Sequence, residues 1–136
     1  MFILRQSHQD AFQHQAEEYF VREVMTYLRE NHSETIVKLP SGELTVRALD
    51  NDGLRTMVIS GIKKARCYGI TWCSTIISFV VIMFEAAPNF DEEQQIQKIL
   101  TTASVLPDRR IDLLWQQTED GTWLRVSRNY QPESWC

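Results

Sequence analysis

His14, Glu17 and Glu18 are the first residues of the chain whose types and spacing could do chemistry. On a helix they share one face, and an imidazole beside two carboxylates is a ligand set for a divalent metal. Helical sites of that kind are completed by ligands from facing helices. The sequence offers no second histidine-bearing helix to face the first, so the set reads as a solvated helix surface. Asp91, Glu92 and Glu93 could supply an acid–base pair. Consecutive carboxylates also complement the positive end of a helix, which is the simpler role. Ser7 and His8 adjoin without the setting of a nucleophile elbow, and there is no glycine-rich phosphate loop. Cys73 falls near a helix start, which lowers a thiol pKa, but its apolar neighbours push the other way. The residues nominate no catalytic, cofactor or metal site. A small enzyme built on Cys73 or on the His14–Glu18 face is the least favoured functional reading.

The elements that would position any site centre on Asp50–Asp91. Leu54, Met57, Val58, Gly61, Ile62, Ala65 and Tyr68 recur at helical spacing and form one apolar face. Asp50, Asn51 and Asp52 offer caps and negative charge at the start. Lys63, Lys64 and Arg66 suit the closing turns, and Gly69 suits the left-handed position beyond the end. Lys64 is expected on the outer face. Gly61 is read as a site of close helix–helix packing. The following run, from Ile70 to Pro88, carries no charge before Glu85. Thr71, Ser74, Ser78 and Glu85 fall on one narrow helical stripe, whereas a strand would alternate with period two. Thr71 is a candidate N-cap and Pro88 the stop. A helix apolar nearly all round is buried, in a bundle or in a membrane. The length and the flanking amphipathic helices favour a core helix, with Ile76, Phe79, Val80 and Met83 inside.

Before this centre, a long helix starts at Ser7 and runs to about Asn31, with Phe12, Ala16, Tyr19, Phe20, Val24, Tyr27 and Leu28 on one face. Residues 32–49 read either as a hairpin around Pro40, Ser41 and Gly42 or as a loop with one short helix. After it, Asn89 or Asp91 caps a short helix with Ile96, Ile99 and Leu100 inside. Pro107 opens the next helix, with Ile111, Leu114 and Trp115 facing inward. Thr118, Glu119 and Asp120 open a last one carrying Trp123, Leu124 and Tyr130. The expected fold is mainly α: a single domain over residues 1–136, a compact bundle of about five helices, with a small β-hairpin at 35–48 as one option.

Net charge is −4 and the pI near 5.3. The basic face of a nucleic-acid binder is missing, and an acidic surface fits a basic partner. Cys67, Cys73 and Cys136 form no CxxC, which argues against a disulfide scaffold and a structural zinc site. Cys67 and Cys73 are expected to be small core residues. The N-terminus lacks the apolar run of a secretory signal, so a cytoplasmic protein without stable membrane insertion is expected. Aromatic residues dominate interface hot spots. Phe12, Tyr19 and Tyr27 of the long helix and Trp123, Tyr130 and Trp135 near the C-terminus are the candidate partner-binding residues.

The segments GIKKARCYGIT, FVVIMFEAAPNFD and IDLLW…NYQPESW resemble a family of small bacterial proteins encoded beside type VI secretion effectors and their spike or PAAR-domain proteins. Gly61, Ile62, Ala65, Tyr68, Gly69 and Ile70 match one motif of that family. Met83, Phe84, Pro88, Phe90 and Asp91 match another. The likeness spans most of the chain except His32–Leu49. The resemblance implies no catalytic residues and no cofactor. It implies a non-enzymatic chaperone, co-chaperone or adaptor whose partner is a secreted effector, its chaperone or a spike component. An immunity protein that neutralises a cognate toxin is the close alternative.

Overall fold

A computed structural model describes residues 6–135, with side chains from Gln15 onward. Among the described residues there are six α-helices and one two-stranded sheet. Helix α1 is Gln6–Asn31, α2 Asn51–Cys67, α3 Cys73–Glu85, α4 Gln94–Leu100, α5 Pro107–Gln117 and α6 Asp120–Arg128. Strands β1, Ile36–Leu39, and β2, Gly42–Thr45, pair antiparallel with Val37 opposite Leu44. The mainly α reading therefore holds, with one helix more than the expected count.

Helix α2 forms as its sequence dictates. The Asp50 carboxylate accepts from the Gly53 N–H at 2.7 Å and caps the start. At the far end Gly69 has φ +86°, a conformation that suits glycine. There the Gly69 N–H donates to the Arg66 carbonyl at 2.9 Å and the Ile70 N–H to the Ala65 carbonyl at 3.2 Å. This paired closure satisfies carbonyls that a helix end leaves open. Leu54, Val58 and Ala65 are fully buried. A methyl added at Gly61 would meet Val80 Cγ2 at 3.0 Å and Met83 Sδ at 3.1 Å, so the glycine lets α2 and α3 approach closely.

Helix α3 is the buried core helix, with Ile76, Phe79, Val80 and Met83 enclosed. No helix among the described residues is long and apolar enough to cross a membrane. Its N-cap is Trp72, without a side-chain cap, rather than Thr71. Thr71 turns instead to Asp108 of α5. That carboxylate accepts from the Thr71 and Trp72 N–H groups at 2.9 and 2.8 Å and from the Thr71 hydroxyl at 3.0 Å. Partial burial pushes the Asp108 carboxyl up, and these donors more than reverse the effect, holding it below its ordinary value.

Glu17 and Glu18 are not a merely solvated face. Glu17 takes both terminal nitrogens of Arg66 at 2.8 Å, and Glu18 takes those of Arg55, so two forked pairs fasten α1 to α2. Ala16, placed on the apolar face by periodicity, is exposed. Arg29 donates to the carbonyls of Val46 and Leu49 at 3.3 and 3.0 Å, tying the end of α1 to the link before α2. In that link residues 32–49 take the hairpin alternative rather than the loop, and a single 3-10 turn at Val46–Ala48 follows it.

Lys64 is not on an open outer face. It donates to the Pro88 carbonyl at 2.7 Å and approaches Asp91 Oδ1 at 3.3 Å. Asp91 is only 5% exposed and also accepts from the Tyr68 hydroxyl at 2.7 Å. The cap of α4 is Glu93, which accepts from the Gln95 and Ile96 N–H groups, rather than Asn89 or Asp91. Cys67 and Cys73 are exposed rather than in the core, because one ends α2 and the other begins α3 at the surface.

Candidate functional site

The polar stripe of α3 marks the side of the core helix that the fold leaves uncovered. Ser74, Ser78 and Glu85 are exposed there, and Ile77 and Val81 beside them are only half-buried. Ile77, Ser78, Val81 and Glu85, with Ile82 and Ala86, floor a groove of about 400 Å³. Tyr27 of α1 forms one wall, and Trp115 of α5 with Trp123 of α6 forms the other. Tyr27 and Ile77 also border an adjoining hollow with Tyr19, Arg22, Glu23 and Glu30. The resulting surface is apolar along its floor and aromatic along both walls.

Large aromatics are unusually open here. Trp115 is 61% exposed, Tyr19 66% and Tyr27 42%. Trp115 stacks on Trp123, whose Nε1 donates to the Thr118 hydroxyl at 3.0 Å and fixes the ring. At the lower end of the floor, Glu85 accepts from the Thr35 hydroxyl at 2.6 Å and lies 2.7 Å from His32 Nδ1. The Ser78 hydroxyl donates back to the Ser74 carbonyl at 3.0 Å, so it adds little polarity to the floor.

The fold brings three of the six candidate partner-binding residues, Tyr19, Tyr27 and Trp123, to this surface. The side chain of Phe12 lies outside the described residues. Tyr130 and Trp135 serve the interior instead. Trp135 is 1% exposed and packs on Phe84, and the Tyr130 hydroxyl accepts from the Lys38 N–H at 3.0 Å and from Trp135 Nε1 at 3.1 Å. Burial pushes the Tyr130 hydroxyl pKa up. Sequence periodicity put Trp115 inside, since it follows Ile111 by four residues. It sits one step past the buried Leu114 and turns outward. Ile77 and Val81 carry a fainter mark in the sequence: Val81 interrupts the Ser74–Ser78–Glu85 stripe, which places an apolar side chain on the open side of α3.

The other clusters of titratable groups are committed to structure. Lys64, Tyr68 and Asp91 satisfy one another, and burial first, then the bond to Asp91, drives the Tyr68 pKa well up, away from any use as a base. A polar hollow of about 250 Å³ is lined by Asn89, Glu93, Arg125 and Gln131. Glu93 caps α4 and pairs with Arg125 at 3.1 Å there, and Asn89 binds the Gln131 N–H at 3.0 Å. Among the described residues no three His, Cys, Asp or Glu side chains gather as a metal set. Comparison with protein-family models, curated proteins and solved structures gave no match.

Proposed function

We propose that this chain is a non-enzymatic accessory protein of a type VI secretion effector module, working in the cytoplasm as a chaperone, co-chaperone or adaptor for an effector. The observation that carries the binding role is the groove between Tyr27 and the Trp115–Trp123 pair, an exposed aromatic surface of the composition that dominates protein interfaces. The likeness of the GIKKARCYGIT and FVVIMFEAAPNFD segments supplies the secretion setting. Co-purification with the products of adjacent genes tests it. An effector, its chaperone or a spike component should accompany the wild type and be lost from a Tyr27→Ala/Trp115→Ala double variant. Failure to retain any of them would remove the reading.

The net charge of −4 favours a second reading, an immunity protein that covers the basic site of a toxin. Deletion separates the two. Loss of immunity kills cells exposed to the adjacent effector, whereas loss of a chaperone lowers effector delivery and leaves self-protection intact.

A further inference from the structure

We infer that the groove over α3 takes a basic amphipathic helix of a protein partner. The inference deepens the protein-binding role proposed above and rests on it. The floor from Ile77 to Ala86 spans roughly 14 Å at 1.5 Å per residue, about two and a half helical turns. A docked helix would set apolar anchors at i, i+4 and i+7 along such a floor, between the aromatic walls.

The rim sets the charge of the occupant. Glu23 and Glu30 are exposed, stand two turns apart on α1, and border the hollow beside Tyr27. Glu85, already held by the Thr35 hydroxyl and beside His32, adds a third carboxylate at the end of the floor, against the single guanidinium of Arg22. Carboxylates therefore outnumber cations around an apolar channel, which favours a basic partner and repels an anionic membrane surface.

The backbone sets its conformation. Apart from Ala86, just past the end of α3, floor and walls belong to helices, whose mid-helix N–H and C=O groups are already bonded. An extended peptide would find no strand edge to pair with, whereas a helix arrives with its own backbone satisfied. A second copy of this chain fits poorly. A two-fold contact sets the same patch against itself, bringing the carboxylate rims of two chains of net charge −4 together.

The test uses the full chain and a pair of synthetic helical peptides. Both carry the same leucine and phenylalanine anchors, one flanked by lysine and arginine, the other by glutamate. Calorimetry and tryptophan fluorescence report binding. The basic peptide should bind at least about tenfold tighter than the acidic one. Glu23→Lys/Glu30→Lys, both at exposed positions, should keep the parent's circular dichroism and melting curve and abolish that preference. Trp115→Ala should weaken the basic peptide by about tenfold or more. No measurable binding of the basic peptide, equal affinity for both, or an unchanged preference in the charge-reversed variant would overturn the inference. Loss of neighbouring-gene partners from the Tyr27→Ala/Trp115→Ala variant, with neither peptide bound, would leave the protein-binding role intact and remove only the basic helix. Peptide binding without any secretion partner would do the reverse.

Discussion

The indole of Trp115 lies against that of Trp123 with 5.8 Å between centroids and 19° between planes. Trp123 in turn stands 6.5 Å from Phe90, Phe90 4.9 Å from Phe79, and Phe79 5.9 Å from Tyr68. A continuous series of rings thus runs from the residue that ends α2 through the core to the groove wall. An exposed ring held by such a series loses little freedom when a partner covers it, which favours binding. Trp115→Ala should therefore cost at most about 1 kcal/mol of stability. Trp123→Ala, which removes the half-buried link to Phe90, should cost about 3 kcal/mol. Urea melts of the two variants check the ranking.

Lys64 meets the buried Asp91 at 3.3 Å and gives a shorter bond to the Pro88 carbonyl. Lys64→Met keeps most of the stem and removes the charge. It leaves Asp91 with the Tyr68 hydroxyl but no cation, at a cost of about 3 kcal/mol. Adding Asp91→Leu should recover part of that loss, because it removes the stranded carboxylate. A double-mutant cycle by chemical denaturation measures both steps.

What the sequence made legible was local. The caps at Asp50 and Gly69, the close approach at Gly61 and the burial of Ile76, Phe79, Val80 and Met83 follow from spacing and residue type within one helix. What it hid were partnerships across long separations. Thr71 suits an N-cap by type, yet Asp108 claims it from α5. Glu17, Glu18 and Lys64 read as solvated charges because Arg66, Arg55 and Asp91 become their partners only once α2 is packed. The groove was half legible for the same reason. Tyr19, Tyr27 and Trp123 stood out as aromatics, but which face of α3 stays open depends on where α1, α5 and α6 stop covering it.

Asp108 carries a pH dependence. Its folded-state pKa is depressed, so its contribution is present above the unfolded value of about 3.9 and is lost as pH falls through the lower folded value. Glu17, held down first by its hydrogen bond to Arg66, adds to the same fall. Thermal stability should therefore drop between about pH 5 and about pH 2. Asp108→Asn should be less stable than the parent by about 1 kcal/mol at neutral pH and show a shallower acid slope. An unchanged slope would show that Asp108 does not hold the start of α3 as its geometry indicates.

Cys67 and Cys73 are exposed, so both should react with a thiol reagent in the folded protein as readily as surface cysteines. Stopped-flow labelling of Cys67→Ser and Cys73→Ser variants, each also carrying Cys136→Ser, isolates one thiol at a time. Reaction only at the rate of global unfolding would place that thiol in the core.

Trp135 closes the fold across 97 residues of chain. Its Nε1 donates to the Lys38 carbonyl at 3.1 Å, and its ring packs on Phe84 with 4.8 Å between centroids. The Tyr130 hydroxyl takes the Lys38 N–H at 3.0 Å, so both outward backbone groups of Lys38 are bonded by the C-terminal segment. A two-stranded hairpin is marginal by itself, and β1–β2 therefore leans on this clasp. Trp135→Ala, which empties a buried aromatic site, should cost about 3–5 kcal/mol. Trp135→Phe keeps most of the packing and loses the bond to Lys38, at about 1 kcal/mol. The two variants should differ in kind as well as size. In Trp135→Phe, amide exchange should quicken at Val37 and Leu44 while protection within α2 and α3 stays near the parent's, because only the hairpin has lost its anchor. Uniform loss of protection across α2, α3 and the hairpin would instead show that Trp135 acts through the core as a whole.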